Sequence, residues 1–337
     1  MSRLGVLLVG PGWVAEQHIV AYLQNPDIEI RAIAGAGDRD RSRAEAYMKG
    51  HGFECPYFGD WEAALRCDGI DLLSICTVNG LHCRISLAAL EAGKHVFVEK
   101  PMCLFPGESS MLVEAARQAG TQTHVGHVVR YYPSIQRLWR FTRNGGIGEV
   151  FYCESDYWHE ITGDWKTTAR TAGSSLLMGG CHSVDLVLWM VGEERRVEEV
   201  FAYSAKARRR RDFEYDPTIS VLMKFDNGIL GRVSTSLEAR MPYVFHLQVN
   251  GTAGTIRDNG IYSAHFHDAE GFTKLRSGYP SDSDVGDHPF RLEIDDFVDC
   301  ILTGRESQLS FRRTAKVYDV IFAAERSARE GVPVRLV

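Results

Sequence analysis

At 337 residues, with 45% hydrophobic and 24% charged content, the chain has the composition of a soluble globular protein and length enough for two domains. A formal net charge of -6 and a pI of about 6.1 exclude a nucleic-acid partner held through its phosphates, since that needs a concentrated positive face. The cysteines at 55, 67, 76, 83, 103, 153, 181 and 300 show neither a C-x-x-C pair nor zinc-like spacing, which implies reduced thiols, a cytoplasmic setting and no metal.

Short apolar runs alternate with helix-period segments up to residue 125, the pattern of a parallel sheet covered by helices on both faces. The runs are Gly5 to Val9, Ile28 to Ala34, Asp71 to Cys76, His95 to Val98 and Thr123 to Val125; helices are expected over Ala15 to Gln24, Arg41 to His51, Trp61 to Arg66, Cys83 to Ala92 and Gly107 to Gln118. The first run is broken by Gly10-Pro11-Gly12 and is too short for an export signal or a membrane span.

After Gly126 longer strands rich in Thr, Tyr and Phe take over, beginning with Val150 to Trp158. Asp226-Asn227-Gly228 and Asp258-Asn259-Gly260 read as hairpin turns, because Asn-Gly tolerates the positive φ of a two-residue loop. Helices are expected over Pro133 to Arg143, Leu176 to Met190, Phe290 to Leu302 and Arg312 to Arg329. The fold class is therefore α/β: a doubly wound Rossmann domain at 1–125, then an α+β domain at 126–337 with a large, mostly antiparallel open sheet, whose C-terminal helix can pack back on the first domain. Arg208 to Arg211, the densest basic run, reads as a solvated loop, with an anionic partner as the alternative.

Gly10-Pro11-Gly12-Trp13-Val14-Ala15 follows a strand and opens a helix, so it satisfies the G-x-G-x-x-[GA] dinucleotide fingerprint in its required context. Its glycines let a pyrophosphate approach the backbone and the helix N-terminus stabilises the charge; the bland alternative is a tight turn with incidental glycines. Asp38, after the second strand, suits the adenosine ribose hydroxyls and so NAD, unless it is only a helix N-cap; Arg39 and Arg41 beside it leave NADP open. Thr77-Val78-Asn79-Gly80-Leu81-His82 and Glu99-Lys100-Pro101 end the third and fourth runs, where ligands sit in such sheets, although either could be an ordinary loop.

With Gly180-x-His182-x-x-Asp185, Arg130-x-x-Pro133, Gly148-Glu149-Val150 and Gly251-x-x-Gly254, these motifs fall in the order and approximate spacing of the Gfo/Idh/MocA oxidoreductases, the glucose-fructose oxidoreductase and inositol dehydrogenase type. The chain resembles that family over essentially its whole length. The resemblance implies that Gly10, Gly12, Trp13, Val14, Asp38, Arg39, Thr77, Asn79, His82, Glu99 and Lys100 line the cofactor, that a cis bond precedes Pro101, and that Lys100 and His182 are catalytic. An imidazole can take a hydroxyl proton near neutral pH.

One position departs from the family pattern: Met178 stands where an Asp is usual, four residues before His182, and a thioether cannot transfer a proton. Lys100 and His182 would then act alone, or Asp164 or Asp185 would substitute. Tyr157, His159, Asp164 and Trp165, with His127, Arg130 and His182, are the candidate substrate contacts, since aromatic faces stack on sugar C–H surfaces while polar tips bond hydroxyls; a structural aromatic cluster is the competing explanation.

The expected activity is hydride transfer between a secondary hydroxyl or ketone of a sugar, inositol or glycoside and NAD, with NADP possible, in a cytoplasmic homodimer or homotetramer that has no nucleic-acid or membrane partner. Glycoside cleavage through transient oxidation, or a non-catalytic NAD- or sugar-sensing role, are the alternatives.

Overall fold

Val6 to Val9 are all buried because they form the interior of a sheet flanked by strands on both sides, which is why this run is apolar throughout rather than alternating. The computed structural model describes residues 3–161, 164–266, 270–275 and 288–336. Among these, six parallel strands, β1 (Leu4–Val9), β2 (Ile28–Ala34), β3 (Tyr57–Phe58), β4 (Leu72–Ile75), β5 (His95–Val98) and β6 (Thr123–Val125), lie in the order β3-β2-β1-β4-β5-β6. Helices α1 (Trp13–Leu23), α2 (Gly37–His51), α3 (Trp61–Leu65), α4 (His82–Glu91) and α5 (Glu108–Ala119) connect them. The chain order reverses between β1 and β4, the switch point of a doubly wound sheet.

Two compact units result: residues 1–127 with 289–315, and residues 128–288 with 316–337. Helix α10 (Phe290–Thr303) belongs to the first. Its Ile294, Phe297, Val298 and Cys300 join the core built from Val6, Leu8, Ile19, Tyr22 and Phe97. A buried pair ties it down: His124 Nε2 lies 3.1 Å from Glu293 Oε1 while Nδ1 lies 2.8 Å from Ser307 Oγ.

The second unit follows α6 (Pro133–Arg143) with β7 (Val150–Trp158), α7 (Asp164–Thr167), α8 (Ala169–Ala172), a π-helical turn at Leu176–Gly180, α9 (Cys181–Val191), β8 (Val197–Ala205), β9 (Thr218–Phe225), β10 (Leu230–Ser236), β11 (Val244–Gly251), β12 (Gly254–Arg257), β13 (Gly260–Ser263) and β14 (Thr273–Lys274). After α11 (Phe311–Glu330), β15 (Val334–Arg335) adds the last edge. The nine strands described here are ordered β14-β13-β12-β11-β7-β10-β9-β8-β15, antiparallel except that β7 and β10 run parallel. The alternation of β9, with Ile219, Val221, Met223 and Phe225 buried and Ser220, Leu222 and Lys224 exposed, shows one covered and one open face. Helix α9 packs on the covered face.

Several local expectations need correction. Neither Asx-Asn-Gly segment is a two-residue Asn-Gly turn: Asp226-Asn227-Gly228 is a three-residue loop with only Gly228 at positive φ (+82°), and Asp258-Asn259 is the second loop, with Asp258 at +53°. Asp258 holds that conformation with its carboxylate accepting from the Leu247 N–H at 3.3 Å and meeting His246 at 2.7 Å. The short strand β3 carries only two residues and has no periodicity to read. The stretch Ala169–Val191 is long and apolar enough to cross a membrane by length and composition alone, but 89% of its apolar window is buried, the behaviour of a core helix.

Candidate active site

In the first unit, the C-terminal ends of β1, β2, β4 and β5 gather the residues expected to hold a dinucleotide. Gly10 has φ +89°, and a Cβ there would stand 2.8 Å from the Thr77 Cα, so the turn after β1 and the loop after β4 touch backbone to backbone. Gly12 caps α1 without any side-chain hydrogen bond, which leaves the helix N-terminus to an incoming anion. Trp13 is exposed and Val14 half-buried at that mouth. These are features a pyrophosphate fits.

Helix α2 begins earlier than the apolar periodicity suggests, at Gly37, and its N-cap is Ala36. Asp38 is therefore an exposed residue of the first turn and not the cap. Asp40 does the local work: its carboxylate accepts from the Ala36 N–H at 2.8 Å. Arg39 is exposed next to Asp38, whereas the Arg41 guanidinium lies over the Tyr57 ring at 4.7 Å.

Asn79 is buried in a short 3-10 turn after β4, and Lys100 is half-buried at the start of a cis Lys100-Pro101 bond after β5. His82 and Glu99 face inward. His82 is 1% exposed, with Nδ1 2.7 Å from the Pro101 carbonyl and Nε2 3.0 Å from the Thr77 carbonyl. Burial lowers its pKa against the pull of those two carbonyls. The imidazole thus stands between the two loops, each nitrogen facing a backbone carbonyl.

Glu99 meets His18 of α1, with Nε2 3.1 Å from Oε1, while His18 Nδ1 lies 2.9 Å from Ser74 Oγ. Burial alone would raise the Glu99 pKa, but the histidine's hydrogen bond and charge prevail and lower it. His18 is absent from the sequence-based candidates, although a histidine leading into the apolar segment Ile19-Val20-Ala21-Tyr22 is readable as a buried partnered group.

In the second unit, three candidates come together on the covered face. Tyr157 sits near the end of β7, between Thr235 of β10 and Phe245 of β11. The His182 ring lies 6.3 Å from it at an interplanar angle of 28°, and His159 lies 6.2 Å away, edge on. The approach of helix to sheet depends on glycine. A Cβ at Gly179 would reach 2.5 Å from the Tyr157 ring, and one at Gly180 would reach 2.4 Å from Thr235 Oγ1. Both glycines lie in the π-turn that leads into α9, a device that re-aims the following side chain.

Tyr243, His288 and Tyr132 extend this cluster beyond the candidates named from sequence. Tyr243 is 5.4 Å from both Tyr157 and His159, and His288 is 6.3 Å from Tyr243 and 5.8 Å from Tyr132. The signal for Tyr243 was the period-two set Tyr243, Phe245, Leu247, Val249 facing one side. Burial pushes the Tyr157 phenol well up, so it stays protonated and able to donate.

The remaining candidates have contacts of their own. Arg130 is fully buried, its Nε and Nη2 donating to Asp185 at 2.7 and 2.6 Å and its Nη1 donating to Glu193 at 2.8 Å. This buried ion pair engages both oxygens of Asp185, one of the two carboxylates that could stand in for the one missing at Met178. His127 is buried just past β6, its N–H donating to the Val125 carbonyl at 2.6 Å. Trp165 is partly exposed on α7 with the Lys166 ammonium 5.9 Å from its ring, and Asp164 opens the same helix, its side chain lying outside the described residues. The basic run folds on its own acids: Glu238 accepts from the N–H groups of Arg208, Arg209 and Arg210, while Arg209 pairs with Glu160 and Arg210 with Asp212.

Residues 4–127 match the family described as "Oxidoreductase family, NAD-binding Rossmann fold", and residues 135–257 match the GFO/IDH/MocA C-terminal domain. The chain belongs to the Gfo/Idh/MocA oxidoreductases. It is 25% identical over 339 residues to D-xylose 1-dehydrogenase (NADP(+)) 2 of Haloferax volcanii, covering 98% of each protein. Levoglucosan dehydrogenase of Pseudarthrobacter phenanthrenivorans is 25% identical over 76% of this chain and 73% of its own. Among solved structures, a levoglucosan dehydrogenase in complex with NADH and L-sorbose superposes with a TM-score of 0.88 at 23% identity, covering 100% of both chains, which establishes the shared fold. As a member of this family the chain is an oxidoreductase with an NAD-binding Rossmann domain.

Proposed function

We propose that the chain is a cytoplasmic, NAD(P)-dependent dehydrogenase or reductase that moves a hydride between nicotinamide and a secondary hydroxyl or ketone of a sugar, inositol or glycoside, with Lys100 and His182 handling the proton. The observation that carries the substrate class is the cluster of Tyr157, His159, His182 and Tyr243, rings with polar tips grouped on one sheet face. Such a surface stacks on C–H faces and bonds hydroxyls. The names of the relatives, dehydrogenases of D-xylose, levoglucosan and D-apiose, support it.

Bound NAD supplies the hydride acceptor. The turn Gly10 to Gly12 and the N-terminus of α1 hold its pyrophosphate. Asp38 accepts from its ribose hydroxyls, which favours NAD, while the exposed Arg39 leaves NADP in play. Thr77, Asn79, Glu99 and Lys100 frame the nicotinamide end, and His182 takes the hydroxyl proton. Met178 offers no carboxylate beside it and Asp185 is committed to Arg130, which supports Lys100 and His182 as the proton-handling pair. Homodimers or homotetramers suit the open sheet face, where Tyr203, Leu222 and Leu230 are exposed on β8, β9 and β10.

The test is a panel of pentoses, hexoses, glycosides and inositols offered with saturating NAD or NADP while reduced nucleotide is followed. Steady production on at least one is expected. In Lys100→Met, turnover should fall by about 10³-fold or more while NAD affinity stays within a few-fold. Silence across the panel, or full turnover in Lys100→Met, overturns the reading.

A further inference from the structure

We propose that His18 is a positioning residue for Lys100: by holding the Glu99 carboxylate beneath the sheet, it fixes the direction in which the neighbouring lysine leaves the strand. The inference rests on the reading of Lys100 as a proton-handling group.

His18 is fully buried in the second turn of α1, the helix that the glycine turn opens. The ring of Phe97 stands edge-on at 4.9 Å, with Phe290 at 5.7 Å and Tyr22 at 6.1 Å, so the imidazole is packed among three aromatic rings. Its Nε2 reaches Glu99 Oε1 at 3.1 Å and its Nδ1 reaches Ser74 Oγ at 2.9 Å. The carboxylate occupies space that Gly126 leaves open, since a Cβ there would stand 2.9 Å from Oε1. Its backbone is fixed as well, the Glu99 N–H donating to the Ile75 carbonyl at 2.9 Å.

The residue on the far side of Lys100 is also held. The Pro101 carbonyl is 2.7 Å from His82 Nδ1. Lys100 therefore lies between two residues, each anchored by a histidine from a different helix, α1 and α4. The groups that bear on the His18–Glu99 pair are Cys76, whose Sγ is 3.7 Å from His18 Nδ1, with Tyr22, Lys100 and His82. Burial disfavours a charge on His18, but Cys76 and Glu99 outweigh it and raise its pKa, which favours the charged imidazole beside the carboxylate. An unpaired Glu99 carboxylate in this pocket would still feel the Lys100 charge, and a lysine drawn to it is withdrawn from its task.

The decisive measurement uses cofactor-free protein: competitive acetylation of Lys100 with acetic anhydride as a function of pH, read by peptide mass spectrometry. In His18→Gln the Lys100 labelling profile should move to higher pH, because a neighbouring cation is lost. In Glu99→Gln it should move to lower pH, because an anion is lost. Opposite displacements are the signature of charge coupling, which a merely structural role would not give. In parallel, kcat of His18→Gln should fall at least tenfold with NAD affinity within about threefold of the parent. Unmoved labelling profiles in folded variants, or lost NAD affinity with kcat intact, overturn the proposal. If His18→Gln fails to fold, Glu99→Gln decides alone through its downward displacement, since it leaves the imidazole an amide partner. Should Lys100→Met keep turnover while both displacements appear, the proton role of Lys100 fails and the coupling stands.

Discussion

Arg130 Nε and Nη2 donate in parallel to the two carboxylate oxygens of Asp185, at 2.7 and 2.6 Å, in a site where the side chains are 0% and 2% exposed. The guanidinium also lies 5.1 Å from the Trp189 ring, which in turn stacks on Trp139 at 4.8 Å. A fork this well matched is a fastening of helix α9 to the chain entering α6.

Removing one partner from that pair leaves a buried charge uncompensated. Arg130→Met should therefore destabilise the protein by about 3–5 kcal/mol, seen as a lower urea midpoint at unchanged slope. Arg130→Lys should recover less than half of the loss, because an ammonium cannot reproduce the two-pronged contact. Loss of activity at full stability would instead return Arg130 to the substrate contacts.

Gly179 tests the ring cluster without touching a titratable group. Its Cβ would meet the Tyr157 ring at 2.5 Å, so Gly179→Ala has to move either the π-turn or the tyrosine. A stability cost of about 1–3 kcal/mol is expected, with KM for the substrate rising more than tenfold and NAD affinity unchanged. A variant with a normal KM would show that Tyr157 does not contribute to the substrate surface.

Glu325 of α11, bonded to Ser174 just ahead of the π-turn, gives a pH dependence of known sign. Burial raises its pKa to about 7. Between the ordinary carboxyl value and 7 the folded state holds a proton that the unfolded chain has released, so stability falls as pH rises through this window. The effect is about 3 kcal/mol. Glu325→Gln should flatten that slope, and equal slopes in parent and variant between pH 5 and 8 would rule the assignment out.

What the sequence made legible follows from how locally each feature is determined. The dinucleotide turn is contained in six consecutive residues, and β2, β5, β6, β7 and α6 have the boundaries that their periodicity dictates. The clustering of Tyr157, His159 and His182 was partly legible, since two of them are neighbours on one strand end. Their company with Tyr243, His288 and Tyr132 was not, because nothing in a sequence tells which distant strand lies alongside. Arg130 looked available for a ligand for the same reason: its partners are 55 and 63 residues away. The π-turn is equally silent, since its cause is contact between Gly179, Gly180 and the sheet.

The His124–Glu293 pair spans 169 positions of chain and lies inside a single compact unit. A ribosome that has released only the first 127 residues has made every strand of the parallel sheet and none of the helix that seals it. Until α10 emerges, the Phe97 and His124 rings have neither Phe297 nor the carboxylate of Glu293 to pack on. The nascent first unit is therefore an unfinished one that depends on chaperones or on waiting, and a shortened chain ending at His127 would keep that exposed flank for good.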